Sequence, residues 1–196
     1  RDELALLNLI AGRKAKTSAA YGPALKHFKI GLELLGKESW QRLYELTLAL
    51  GVEAAEMAYL CTELDDMEQL VEQVLRQAST LLDKVKIYEI KIQSLAAQNK
   101  LLEAISMALT VLKLLDIRFP PKPGKWHILL ALLRTTQKLS FGKKLSFSLT
   151  QNGHKTIKDI INLPKMTDAN QLAVMRILAQ LYSVTYKAAP ELFPLT

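Results

Sequence analysis

Three histidines, one cysteine, an adjacent pair of aspartates and two glycine–lysine stretches are the residues here whose types could support chemistry. A phosphate-cradling loop needs glycines at set spacing, then Lys and Ser/Thr opening a helix, after a hydrophobic strand. Gly142-Lys143-Lys144 and Gly153-His154-Lys155-Thr156 lack the second glycine and the strand, so they read as loop glycines beside solvated lysines. His27, His127 and His154 are far apart, and none has a histidine four residues away. A phospho-acceptor histidine commonly precedes Glu or Asp. These precede Phe28, Ile128 and Lys155, which suits structural or surface histidines. Asp65-Asp66, with Glu63 and Glu68, has the residue types of a metal or acid/base pair. Adjacent residues on a helix do not face each other, whereas acids in a first turn complement the helix dipole. Cys61 has no local basic cluster to favour a thiolate and reads as a small hydrophobe. Protein-kinase signatures are absent from the sequence. No catalytic, cofactor-binding or metal-ligating residue is therefore expected.

Charge is the next signal. The 196 residues hold 26 Lys and Arg against 19 Asp and Glu, a net charge of +7. The surplus is local. Arg118, Lys122, Lys125, Arg134, Lys138, Lys143, Lys144, Lys155 and Lys158 occupy a window without an acid, leaving 17 of the 26 bases against all 19 acids elsewhere. Phe119, Trp126, Phe141 and Phe147 are interspersed. A solvated insertion is the first reading, and a contact surface for an acidic domain the second. Nucleic acid comes last, because no compact recognition helix follows a tight turn. No helix joins a basic face to a strongly apolar one, and no apolar run is long enough to span a bilayer. The single cysteine excludes an intrachain disulfide framework and a multi-cysteine zinc site.

The elements that would position these residues are helices. Hydrophobic residues make up 49% of the chain, with only 8 Gly and 7 Pro. Apolar residues recur at steps of three and four, as in Leu25, Phe28, Leu32 and Leu35, or Leu101, Ala104, Ile105, Ala108, Leu109 and Leu112. Breaks are expected at Gly22-Pro23, at Gly36 to Ser39 and at Gln98-Asn99. Pro23 suits a first helical turn and Ser39 an N-cap. Three prolines in Pro120 to Pro123 end the pattern. Beyond them the sequence predicts a helix from about Lys125 through Leu139, a loop or poor helix at Ser140–Gly153 and a short helix over Thr156–Leu163. A last long helix over Ala169–Ala189 is capped by Asp168, and Pro190 and Pro194 interrupt a possible further helix.

A spaced pattern recurs three times. Gly12, Ala15, Ala19, Tyr21, Ala24, Phe28 and Gly31 share their offsets with Ala55, Ala58, Thr62, Leu64, Met67, Val71 and Val74. Ile92, Leu95, Asn99, Leu101, Ala104, Ala108 and Val111 form the third copy. Small residues let two antiparallel helices approach, and a bulky partner fills the groove. Each such pair leaves apolar surface that the next must cover. The second copy has Thr62 where Gly or Asn is usual at the turn.

This spacing resembles the tetratricopeptide repeat (TPR) over about residues 5 to 116. Longer blocks resemble a family as well: NLIAGRKAKTSAAYGPALKHFKIGLELLG, AYLCTELDDMEQLVEQVLRQASTLLDKVKIYEIKIQSLAAQNKLLEAI and IINLPKMTDANQLAVMRILAQLYSVTYKAAPELFPL. They are similar to the TPR-like helical region of large signalling proteins, often cyanobacterial. Those carry a Ser/Thr protein kinase, a signal-transduction ATPase, a GAF sensor and often a histidine kinase. The resemblance implies a parent that uses ATP and Mg, and puts none of its catalytic residues on this segment.

The fold expected is all-α, a right-handed superhelix of antiparallel helix pairs. Three TPR-like hairpins would fill residues 1–116, a basic, proline-interrupted insertion 117–163, and a helical continuation 164–196. The chain opens without Met and both ends fall inside helical pattern, so it is expected to be a piece of a longer cytoplasmic protein. Its expected role is non-catalytic binding and coupling, to neighbouring domains or to a protein or peptide effector, without membrane insertion. Inner-groove residues would come from the first helix of each pair: Arg13, Lys16, Glu53, Glu56, Lys91 and Gln98. A passive spacer is the alternative, and an enzyme within these residues the least supported reading.

Overall fold

Eight helices and no strand form among the described residues, 1–119 and 165–189, of the computed structural model. They are α1 (Asp2–Thr17), α2 (Tyr21–Leu35), α3 (Ser39–Arg42), α4 (Tyr44–Leu60), α5 (Leu64–Gln77), α6 (Leu81–Ala97), α7 (Leu101–Leu114) and α8 (Ala169–Ala188). The expected helices near Lys125–Leu139 and Thr156–Leu163, the loop at Ser140–Gly153, and Pro190 and Pro194 lie outside the described residues.

One turn is used three times. Helices α1 and α2, α4 and α5, and α6 and α7 are joined by three-residue connections and pack pairwise. The middle residue of each connection is left-handed: Ala19 at φ 55°, Thr62 at 62° and Asn99 at 60°. The next amide then reaches back five residues. Ala20 donates to Ala15 O, Glu63 to Ala58 O and Lys100 to Leu95 O, each at 2.9 Å. This bond closes the helix end and satisfies a carbonyl that would otherwise be orphaned. The same closure follows α7, with Asp116 at φ 64° and Ile117 N donating to Leu112 O at 2.8 Å. The three left-handed residues hold the same offset in the repeated pattern, so the register read from the sequence includes the copy that carries threonine.

Thr62 is costly there. A left-handed residue with a Cβ loses roughly 1–2 kcal/mol, and β-branching makes it worse. Among the described residues its hydroxyl bonds only the neighbouring Cys61 carbonyl, in an exposed position. Thr62→Gly is therefore expected to stabilise the chain by about 0.5–1 kcal/mol after the entropy glycine adds to the unfolded state. Asn99→Gly should gain less, because asparagine tolerates this conformation. Urea midpoints at unchanged slope check both.

Small residues let the helices close. Gly12 on α1 lies under the Phe28 ring of α2, where a Cβ would be 2.3 Å from Cε1. Gly31 on α2 meets Leu50 of α4, where a Cβ would be 2.7 Å from Cδ2. The first contact zips one pair, and the second joins it to the next. Ala24, Met67 and Ala104 occupy one repeat position, and all three are fully buried. Helix α4 packs against α1, α2, α3, α5 and α6. That position explains its apolar sequence, with Leu50, Ala54, Ala55, Met57 and Ala58 buried around it. Two apolar cores result. One spans α1 to α6, and the other joins α6 and α7 to α8 through Ile92, Val111, Ile177 and Leu181.

Several local expectations change. The first break falls at residues 18–20, not at Gly22-Pro23. Both of those lie in the first turn of α2, where proline needs no amide partner. Ser39 is not an N-cap. It opens the four-residue α3 and donates from Oγ to Gly36 O at 2.7 Å, and α4 starts only at Tyr44. The interruption tucks Trp40 into the core, edge-on to Tyr44. A further break at residues 78–80 has no Gly or Pro. Thr80 makes it by capping α6, accepting from Asp83 N while Asp83 Oδ2 accepts from Thr80 N. Asp168 caps α8 as expected, accepting from Gln171 N at 2.8 Å, although the helix ends at Ala188.

Candidate functional site

The opening helices of the three pairs are neighbours in turn, and α8 extends the series. Helix α1 contacts α4, α4 contacts α6, and α6 contacts α8. Polar residues about one helical turn apart on these helices meet across the seams. Arg13 Nε donates to Glu53 Oε1 at 3.0 Å. Lys16 Nζ donates to Glu53 Oε2 at 2.9 Å and to Glu56 Oε2 at 2.8 Å. Four of the six residues expected to line an inner groove thus form one ion network between α1 and α4. The other two lie apart. Lys91 Nζ bonds Glu68 of α5 at 2.8 Å, and Gln98, which follows the end of α6, donates to Ser94 Oγ of that helix at 3.0 Å.

Burial and charge act against each other in the network. Burial opposes ionisation of Glu53, whose side chain is only 13% exposed, yet Lys16 and Arg13 hold its carboxyl below the usual range. Burial likewise opposes the charge on Lys16, and Glu56 and Glu53 overcome it, raising the ammonium's pKa. Asp83 follows the same rule: Tyr44 Oη donates to it at 2.7 Å, and this bond with those from Thr80 outweighs burial and lowers its pKa.

Glu89 on α6 is the exception. Burial raises its pKa, Arg176 and Lys86 pull the other way without prevailing, and Glu56 adds repulsion. Arg176 Nε of α8 stands 3.7 Å from Oε1, too far for a hydrogen bond, and that buried oxygen has no hydrogen-bond partner among the described residues. A carboxyl whose folded pKa is raised weakens the fold above that pKa and ceases to do so once protonated in both states. Glu89→Gln is accordingly expected to stabilise the chain at neutral pH and to converge on wild type as pH falls below the unfolded carboxylate value. Urea unfolding at several pH values reads both limbs.

Beside the ion network lies a cleft of about 220 Å³. Helix α1 contributes Arg13, α4 contributes Glu45, Leu48, Val52 and Glu53, and α6 contributes Leu82, Asp83 and Lys86. Glu53 and Asp83 already have partners. Glu45 and Lys86 have no hydrogen bond or ion pair among the described residues, and Leu82 is 38% exposed. An apolar floor between the exposed acid of Glu45 and the exposed base of Lys86, whose charge also acts on Glu89, is thus open to solvent. Sequence reading missed Glu45, Leu48, Val52, Leu82 and Lys86. The signal was that residues at one face of α4 and at the first turn of α6 share a neighbour.

The other singled-out residues have structural surroundings. His27 is half-buried, with Nδ1 3.0 Å from Asn8 Oδ1. Asp65 and Asp66 lie in the first turn of α5, and Asp66 pairs with Lys29 of α2. Cys61 ends α4, half-buried against the core, where burial and the Glu63 charge raise its pKa. Arg118 is exposed. Lys122, Lys125, Arg134, Lys138, Lys143, Lys144, Lys155, Lys158, His127 and His154 lie outside the described residues, as do both glycine–lysine stretches. Among the described residues no helix is long and apolar enough to cross a membrane. Compared with protein-family models, with curated proteins and with solved structures, the chain matches none.

Proposed function

We propose that this chain is a non-catalytic, TPR-like interaction and coupling segment, its helix pairs winding into a right-handed superhelix. The observation that carries this reading is the cleft across α1, α4 and α6, with an apolar floor between the exposed Glu45 and Lys86. A cleft that draws on three successive pairs couples a ligand to their spacing. Its occupant is a neighbouring domain or a protein or peptide effector. By resemblance to the large kinase–ATPase proteins, the parent is a cytoplasmic signalling kinase with an ATPase switch. Effector binding here would bias that switch between arrangements and so control the kinase, which needs ATP and Mg.

One observation favours the passive spacer instead. Arg13, Lys16, Glu53 and Glu56 are paired with one another, as a cross-brace between rigid units would be. Site-specific photo-crosslinking in the cell of origin separates the two. A crosslinker at Leu82, in the cleft, is expected to capture one defined protein segment. The same group at Leu102 of α7, which is 70% exposed, should capture none reproducibly. Adducts at both positions alike, or at neither, would leave the spacer. Captured peptides from a domain without kinase or nucleotide-binding motifs would overturn the signalling assignment.

A further inference from the structure

Helix α1 is apolar on two sides. On its inner side Ala5, Leu9 and Gly12 are buried, and the helix packs against α2 and α4. On its outer side Leu4, Leu6, Leu7 and Ile10 are 48% to 59% exposed. Four large apolar side chains within seven residues make the densest such patch among the described residues. A contiguous apolar patch of this kind marks a surface that another protein covers.

Two charges within this face say what covers it. Glu3 and Lys14 are exposed, and the side chain of neither has a hydrogen bond or ion pair among the described residues. Glu3, Leu7, Ile10 and Lys14 follow one another by steps of four, three and four. At about 100° per residue they fall within about 60° of one another around the helix. The stripe thus reads acid, apolar, apolar, base, with Leu4 on one flank and Leu6 on the other. Turning a helix end for end reverses that order. A second copy of α1 laid antiparallel on the first therefore sets Glu3 against the partner's Lys14 at both ends, and Leu7 against the partner's Ile10 between them. Both pairings share one midpoint, between residues 8 and 9, as a single two-fold axis requires. Steps of four and three are also the spacing at which two helices interlock along a seam. A parallel copy would oppose like charges at both ends, so charge selects the antiparallel one. We propose that the outer face of α1 is the two-fold interface of a homodimer, with Leu7 and Ile10 of each copy at its centre and a Glu3–Lys14 ion pair at each end. This surface does not depend on the α1–α4–α6 cleft.

The test is the oligomeric state of the full chain and of its charge swaps. An interface of one helix per copy is small, below ~1,200 Å², so the dimer should be weak and reversible. Sedimentation velocity from low micromolar concentration to about 1 mM should show wild type passing from monomer to dimer, and no further. Leu7→Gln/Ile10→Gln should weaken the dimer about a hundredfold or more, because it removes four apolar side chains from the axis. Both positions are exposed and glutamine is a good helix former, so this variant should keep the melting temperature of the dilute wild type. Glu3→Lys alone, or Lys14→Glu alone, opposes like charges at both ends and should weaken the dimer about tenfold or more. An equal mixture of these two variants regains both ion pairs and should dimerise as wild type does. So should the doubly swapped chain, Glu3→Lys/Lys14→Glu, by itself. A parallel seam predicts instead that wild type, both single swaps and the double swap behave alike, and that result would overturn the proposal. A chain that stays monomeric throughout would overturn it too and leave the face to a different protein. A dimer that survives Leu7→Gln/Ile10→Gln would place the contact elsewhere and equally reject it.

Discussion

Phe28→Ala is expected to lower the unfolding free energy by about 3–5 kcal/mol, and Gly12→Ala by about 1–3 kcal/mol. The first figure follows from burial. Phe28 is fully enclosed, and its ring covers the one helix position where α1 has no side chain to oppose it. Removing the ring loses its transfer energy and opens a cavity that the backbones of α1 and α2 cannot collapse into. The second figure runs against intrinsic preference, since alanine is the better helix former by about 1 kcal/mol. A methyl group at Gly12 would lie 2.3 to 2.7 Å from three atoms of a rigid ring that has no other place to go. Gly12→Ala combined with Phe28→Leu should cost less than the two changes summed, by about 1 kcal/mol, because the smaller side chain vacates the space the methyl needs. Urea unfolding of the four proteins measures this coupling. A Gly12→Ala protein as stable as wild type, or more so, would contradict the packing.

Glu53→Ala is expected to cost about 1–2 kcal/mol near neutral pH, the value of charge-assisted bonds discounted for the solvent around Arg13, whose side chain is 53% exposed. Lys16 keeps Glu56, so the loss stays below that of a fully buried pair. The pH dependence identifies the cause. The folded-state pKa of Glu53 is depressed, so its contribution is whole above the unfolded carboxylate value of about 4.3 and is lost as pH falls through the lower folded value. The folded pKa of Lys16 is raised, so its share is whole below the unfolded value of about 10.4 and is lost as pH rises through the folded one. The stability gap between wild type and Glu53→Ala should therefore be widest between these limits and shrink on the acid side. A gap independent of pH would show that Glu53 acts by packing alone.

Legibility in the sequence differs between the elements and the site. The repeat offsets carried the turn, because one left-handed residue must follow each opening helix at a fixed distance. That distance led to Thr62 even though threonine is a poor turn residue. Gly12 and Gly31 were legible as small positions for the same reason. The breaks at α3 and at residues 78–80 were not. Trp40 leaves solvent only if the helix is interrupted, and Thr80 caps through Asp83, where the usual box has Glu or Gln. The site was half legible. Amphipathic spacing put Arg13, Lys16, Glu53 and Glu56 on opening helices. That Arg13 meets Glu53, 40 positions on, depends on the angle between α1 and α4, which sequence spacing does not specify. Lys91 and Gln98 are polar as well, yet Lys91 reaches back to α5, and Gln98, just past the end of α6, bonds Ser94 of that helix.

The small-on-large contacts that lock one helix pair to the next underlie the α1–α4–α6 cleft, which draws on helices of three pairs. Nuclear Overhauser spectroscopy on the methyl-labelled chain observes those contacts directly. A cross-peak between pairs is predicted from the Leu50 methyls to the Gly31 α-protons, across α4 and α2, and one within the second pair from the Val74 methyls to those of Gly51, across α5 and α4. Leu50 methyls that see only their own helix would contradict the stacking and remove the ground for the α1–α4–α6 cleft.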